Sequence, residues 1–423
     1  MGDWRSGSAT ALQAVGRGFK SLIAHHEIKR PSNGAFSFIK RKPVRRSPKN
    51  MNDTRKHIIR RFGIAAALLL LSGALMVLFD HANGAFFPGY RAFSKAVIGA
   101  LAAITGIFPF SIWDFLTVGL ILAAIVTCIF CLVKKRSFGK WLATVCIVLS
   151  ALVLFMVGSW GLNHYAPPLS TDLGLDVREY SADELEDATS YYLQQAAARA
   201  QSVPRGQDMS LERQDFYELA GIAGSSYATL AQQYPVFEGS TAPVKALLLA
   251  GEPLLYSGHT GIFWPFTGEA NVPLNCAVAE APFTMAHEAA HRLGIASEQE
   301  ANFCAFLACT ENDDDCFAYS GYYEAFCYCV NALAANYPER ANALLTEAIG
   351  ETADPSNAQT YGARLVLFDR YNTSDFYSTY EGPASDVGTA VNDTYLKSFS
   401  EESGVKSYGE VADYLIAWHL AHQ

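Results

Sequence analysis

Three stretches in the first third of the chain carry no charge: FGIAAALLLLSGALMVLF (62–79), FLTVGLILAAIVTCIFCLV (115–133) and WLATVCIVLSALVLFMVGSW (141–160). At a helical rise of about 1.5 Å per residue, runs of about 18–20 apolar residues match the bilayer core, so each is expected to be a transmembrane helix. A fourth apolar run, AVIGALAAITGIFPFSIW (96–113), contains Pro109 and is separated from the next span by Asp114 alone. No hairpin fits there, so the run is expected to be an interfacial or re-entrant segment on the outer side.

Beyond Trp160 the pattern changes. After a proline-bearing linker, SADELEDATSYYLQQAAARAQ reads as a helix opened by a capping box of Ser181 and Glu184. A polar break follows, then a second helix from about Leu211 to Gln233, stopped by Pro235. In VKALLLAGEPLLYSGHTGIFWPFTGEANVPLN (244–275) short apolar runs are punctuated by Gly and Pro, the texture of strands and turns. Helical periodicity returns from Pro282 to Tyr337 and again in YGEVADYLIAWHLA near the end. The expected architecture is a multi-pass α-helical membrane anchor followed by a mostly α, α+β domain with a small antiparallel sheet just before the HEAAH helix. It divides into a basic tail (1–56, expected to be disordered), a membrane region (57–160) and an outer domain (161–423).

Charge orients this arrangement. Of the 32 Lys and Arg, 15 lie in residues 1–61 and four in the loop KKRSFGK, against two in residues 80–114. Positively charged loops stay in the cytoplasm. Three spans place both basic stretches inside and everything after Trp160 outside the cytoplasmic membrane, whereas four would put KKRSFGK on the wrong side. The first span reads as an uncleaved signal anchor. The outer domain has eleven Lys and Arg against 36 Asp and Glu, a balance of −25, which excludes nucleic-acid binding by bulk electrostatics. The basic tail is read as lying on anionic lipid. Cys128, Cys131 and Cys146 fall in the spans, and the remaining six cysteines permit disulfides, with Cys309 to Cys316 the expected pairing.

The chemistry concentrates in AHEAAHRLGIASEQEANF (286–303). Pro282 suits a first helical turn and Gly294 a C-terminal cap. Between them His287 and His291 stand four apart, so both imidazoles project from one face and can share a tetrahedral ion at about 2.0–2.1 Å. Glu288 is rotated by about 100° from its neighbour, where it serves as a general base without being a ligand. The plain alternative is the polar face of an ordinary helix, since HExxH fixes only three positions. A catalytic zinc needs a third protein ligand. Ser297 can cap a second helix, EQEANFCAFLAC, on which Glu298 and Glu300 compete. Glu300 holds the capping-box position, which already explains it. Glu298 is therefore the expected ligand, and Asn302, on the same face, is expected to steady one histidine.

HEAAHRLGIASEQEANF, preceded by GIFWPFTGEANV and followed by VNDTYLKSFSEESGVKSYGEVADYLIA, resembles a bacterial family of membrane-anchored HExxH zinc peptidases of otherwise unassigned function. The resemblance covers roughly the membrane region and the whole outer domain. It implies a zincin-like domain with a gluzincin-like centre, two His and one Glu on Zn2+. In the better-known gluzincins an Asp stands four after the ligand Glu; Asn302 is neutral there and would leave its histidine less basic.

These parts predict a zinc metallopeptidase in the cytoplasmic membrane, with the bilayer and a peptide or protein substrate as partners. Glu288 would take a proton from water and return it to the leaving amine. An oxyanion donor is required, and Tyr395, Tyr408 and His419 are its candidates, each also readable as a packing residue. FWPFTGEANV offers an edge strand for an extended peptide, or a buried aromatic turn beneath the HExxH helix. His259 in SGHTG is read as a loop residue. The competing function is a zinc-stabilised sensor or assembly factor without turnover, for which Glu288 would have no use; a zinc amidase on cell-wall peptide is a chemical neighbour of the peptidase.

Overall fold

The computed structural model describes residues 48–350, 353–354, 356–399 and 408–423. The chain divides into two compact units, 1–51 and 52–423; of the first, only the residues from 48 onward are described. The expected disorder of the tail therefore falls mostly outside the described residues, and its last part, from Pro48, is helical.

In chain order the elements begin with α1 Pro48–Thr105, α2 Ile112–Val133, α3 Phe138–Ser159, α4 Leu169–Leu173, α5 Ala182–Arg199, α6 Phe216–Ser225 and α7 Leu230–Gln233. Next come β1 Lys245–Leu247, α8 Gly251–Tyr256, β2 Ile262–Trp264 and β3 Glu269–Pro273. The rest is helical: α9 Ala281–Arg292, α10 Glu298–Thr310, α11 Asp315–Asn336, α12 Pro338–Ile349, α13 Ala358–Ser378, α14 Pro383–Ser398 and α15 Tyr408–Ala421.

Three helices are long and apolar enough to cross a membrane, Asn52–Ala82, Ile112–Val133 and Phe138–Ser159, and they mark the chain as a membrane protein. The first is part of α1, which breaks at Ala82, where φ of −139° leaves helical geometry. The continuation of α1 past the break takes in the first part of the run expected to be interfacial or re-entrant. It is a helical stem packed on the C-terminal domain: Lys95 Nζ donates to Val236 O at 2.6 Å and Glu238 O at 2.7 Å, and Thr105 Oγ1 to Thr267 O at 3.1 Å. Gly268, with φ of +67°, lets the sheet turn approach this stem; a Cβ there would stand 2.6 Å from Ile98 O.

The sheet is small and mixed, not antiparallel. Its order is β1-β3-β2, with β1 parallel to β3 and β2 antiparallel to it. The reason is the connection: β2 and β3 are joined by a tight turn, whereas α8 and β2 lie between β1 and β3 and return the chain in the same direction. The expected long helix over 211–233 is also broken. It splits into α6, capped by Asp215, and the short α7. The helices α12, α13 and α14 were not anticipated from the periodicity.

The core of the C-terminal domain gathers α5, α6, α9, α10, α11, α13 and α15 around buried Ala, Leu and aromatic side chains. Helix α9 is its centre, packed against α6, α10, α11 and β3. Eleven of its twelve residues are buried, with His287 the partly exposed exception, so the side chains of Glu288 and His291 cannot rotate freely to solvent. All nine cysteines are free thiols. The expected Cys309–Cys316 pair is not made: Cys309 is buried against Gly321 of α11, while Cys316 lines an apolar cavity with Cys276 and Met285.

Candidate metal centre

Helix α9 brings His287 and His291 to one face, and Ser297, by accepting from Glu300 N, starts α10 so that its first residue points back at them. His287 Nε2 lies 2.9 Å from His291 Nε2 and 3.3 Å from Glu298 Oε2, and His291 Nε2 lies 3.8 Å from the same oxygen. The three ligand atoms fall within 4.8 Å of one another, the only such His/Cys/Asp/Glu cluster among the described residues. A tetrahedral ion with bonds of about 2.0–2.1 Å sets its ligand atoms roughly 3.3 Å apart, the middle of the observed range.

The donor atoms are prepared for a cation. His291 Nδ1 is 2.7 Å from Ile295 O, which can only accept, so that nitrogen carries a proton and Nε2 is the atom turned to the cluster. His287 faces it edge-on, with ring centroids 4.6 Å apart, and its buried Nδ1 has no hydrogen-bond partner. Burial and the neighbouring His291 push the His287 ring down, against Glu298 and Asn302, which favour its charged form. Burial opposes a charge on His291 too, but Glu298 outweighs it and raises that ring to about 9. Against the cost of its own partial burial, Glu298 is held well below the carboxylate range by the two imidazoles. Its side chain is one-third exposed, which leaves the cluster open on one side.

Glu288 is the buried carboxyl beside the cluster. Burial pushes it up to about 8, and its Oε2 has no hydrogen-bond partner. Gly261, just before β2, lies directly over it; a Cβ on Gly261 would come within 2.5 Å of Glu288 Oε1. Glu300 is placed elsewhere: its Oε1 accepts from Leu169 N at 2.7 Å and Tyr414 OH at 2.9 Å.

The C-terminal candidates separate. Tyr395 OH lies 3.3 Å from His164 Nε2, and His164 stands edge-on to Trp160 at 5.5 Å. Trp160 in turn stands edge-on to His291 at 6.0 Å, so Tyr395 is joined to the cluster through two rings. His419 is not brought there. It is bonded to Asp187 Oδ2 at 2.9 Å and packed on Tyr191, and no contact links it to the histidines among the described residues. The side chain of Tyr408 lies outside the described residues. His259 sits in its loop, 3.0 Å from Ser257 Oγ.

Three neighbours of the centre were missed in the sequence. His164 follows the last span in NHYAPP, where nothing marks it out. Trp160, whose indole N–H donates to His291 O at 2.8 Å, reads as an interfacial anchor at the end of a span. Gly261 is one of many loop glycines. Only proximity in the fold distinguishes them.

No curated protein and no solved structure matches the chain. A family model does match, over residues 90–416, which include most of the stem, two of the spans and every residue of the cluster. The chain belongs to that family, described as a protein of unknown function (DUF3810).

Proposed function

We propose that this protein is a membrane-anchored zinc metallopeptidase with a zincin-like, gluzincin-type centre, acting on peptide or protein outside the cytoplasmic membrane. The reading is carried by the convergence of His287 Nε2, His291 Nε2 and Glu298 Oε2 beside a fourth residue, Glu288, whose buried carboxyl does not converge with them. Bound to the first three, zinc would supply Lewis acidity toward a carbonyl and acidify a water.

The chain's own residues do the rest. His291 is held in one tautomer by Ile295 O, and Glu298 pulls both rings into register. Glu288, buried beside the cluster, takes a proton from the attacking water and returns it to the leaving nitrogen. Gly261 keeps the backbone close enough to exclude bulk water from that carboxyl. The outer edge of β2, which pairs with no strand among the described residues, suits an extended peptide. The excess of Lys and Arg before the first span and between the second and third supports an outer domain facing away from the cytoplasm.

The test uses the full chain purified in detergent. One zinc per chain is expected. Glu288→Gln should retain the zinc and the fold while cleavage of a peptide library falls at least about a hundredfold. Cleavage persisting in that variant overturns the reading.

A further inference from the structure

Resting on the peptidase reading, we infer that the substrate is the juxtamembrane stretch of a membrane-anchored polypeptide, cut within about five extended residues of the bilayer surface. Three observations place the centre there. Trp160, the residue directly after α3, donates its indole N–H to His291 O at 2.8 Å, so one side chain separates a metal ligand from the end of a span. Strand β2 runs from that centre to the spans: Gly261 lies over Glu288 at one end, and at the other Trp264 packs on Trp113 of α2 at 4.9 Å. In the turn after β2, Phe266 stacks on Trp113 at 4.8 Å and on Phe155 of α3 at 5.7 Å. Phe155 is four residues before the end of α3, about 6 Å back along its axis, so this turn reaches the depth of the last turn of the span.

The surface around this junction is dressed for lipid. Leu248 and Leu249 are 44% and 48% exposed in an otherwise acidic domain, and their N–H groups bond to Asp114 Oδ2 near the start of α2. Exposed Ile107 and Phe108 stand in the turn that leads into the same helix. Solvent-facing apolar side chains of this density mark a membrane contact.

The junction is also stiff. Glu269 of β3 accepts from Ile112 N and Trp113 N, each at 3.0 Å, capping α2. Asp114 of α2 returns the favour to Leu248, Leu249 and Ala250 N, and buried Lys245 donates to Phe108 O. Such a clamp does not let the centre swing outward to distant chains. From Gly261 to Trp264 is three residues, about 10 Å at 3.3–3.4 Å per residue, so a peptide extended along β2 enters the interface within that length.

The experiment reconstitutes the zinc-loaded full chain in phosphatidylethanolamine–phosphatidylglycerol vesicles. Two probes are added: a peptide with one apolar span and a 30-residue unstructured outer tail, and the same tail without the span. The result expected is at least tenfold faster cleavage of the span-bearing probe, with the cut mapped by mass spectrometry close to the span. Equal rates, or cuts spread along the tail, overturn the inference and leave the peptidase standing. No cleavage of either probe, with zinc content verified, removes the peptidase reading and the inference with it.

Discussion

Glu298 and Glu300 stand two apart on one helical turn, and residues at that spacing cannot face the same way. Glu298 faces the histidines, while Glu300 accepts from Leu169 N and Tyr414 OH. Zinc content, read by mass spectrometry of metal, should therefore fall well below one per chain in Glu298→Ala and stay near one in Glu300→Ala; the reverse order would exchange their roles. A second residue-scale prediction concerns Asp369, which accepts from Arg205 Nη1 at 3.0 Å and Nη2 at 2.6 Å and from Tyr319 OH, with both charged side chains buried. Removing one partner of such a pair leaves a buried charge uncompensated. Asp369→Ala should lose about 3–5 kcal/mol in denaturant unfolding, and a loss under about 1 kcal/mol would mean that the guanidinium finds water instead.

At the scale of elements, helix α9 and strand β2 form the catalytic pair of the proposal, and the narrowest place between them is Gly261 over Glu288. In Gly261→Val the added atoms have no room, since even a Cβ lies 2.5 Å from the carboxylate. Zinc should be retained, because no ligand is touched, while cleavage drops at least tenfold; full activity would show that β2 is free to move away. The capping box at α5, the HExxH helix and the cap of α10 were legible in the sequence because each is set by residues within one or two turns. The parallel pairing of β1 with β3 and the break after α6 were not, because strand direction depends on where the chain returns from. Helices α12 and α14 bury few of their residues, so no long apolar run marks them.

For the whole molecule, a pH effect follows from a second carboxyl pair away from the metal ligands. Buried Glu324 stands beside half-buried Glu280, with Tyr377 OH donating to Glu280 Oε2 at 2.7 Å, and burial raises both carboxyls. The thiols of Cys276 and Cys327 nearby are also raised, so the carboxyls are the first groups here to lose protons. The folded chain then holds a proton that the unfolded chain releases near pH 4.3, so this contribution is complete below about pH 4 and is lost as pH rises. The unfolding midpoint in detergent should decline from pH 5 to pH 8, and Glu324→Gln should flatten the decline. An unchanged slope in that variant would assign the effect to other groups.

The three apolar helices, the helix carrying His287, Glu288 and His291, and the pair of glutamates from which a third ligand would come were legible in the amino-acid order. These are properties of contiguous residues, written in hydrophobic period, length and spacing. Which glutamate meets the histidines, how the stem after the first span is clamped to the sheet, and the place of Trp160 against His291 emerge with the fold alone. Each of those rests on partners more than a hundred residues apart or on the direction in which a side chain leaves its helix, and neither leaves a local pattern in the chain.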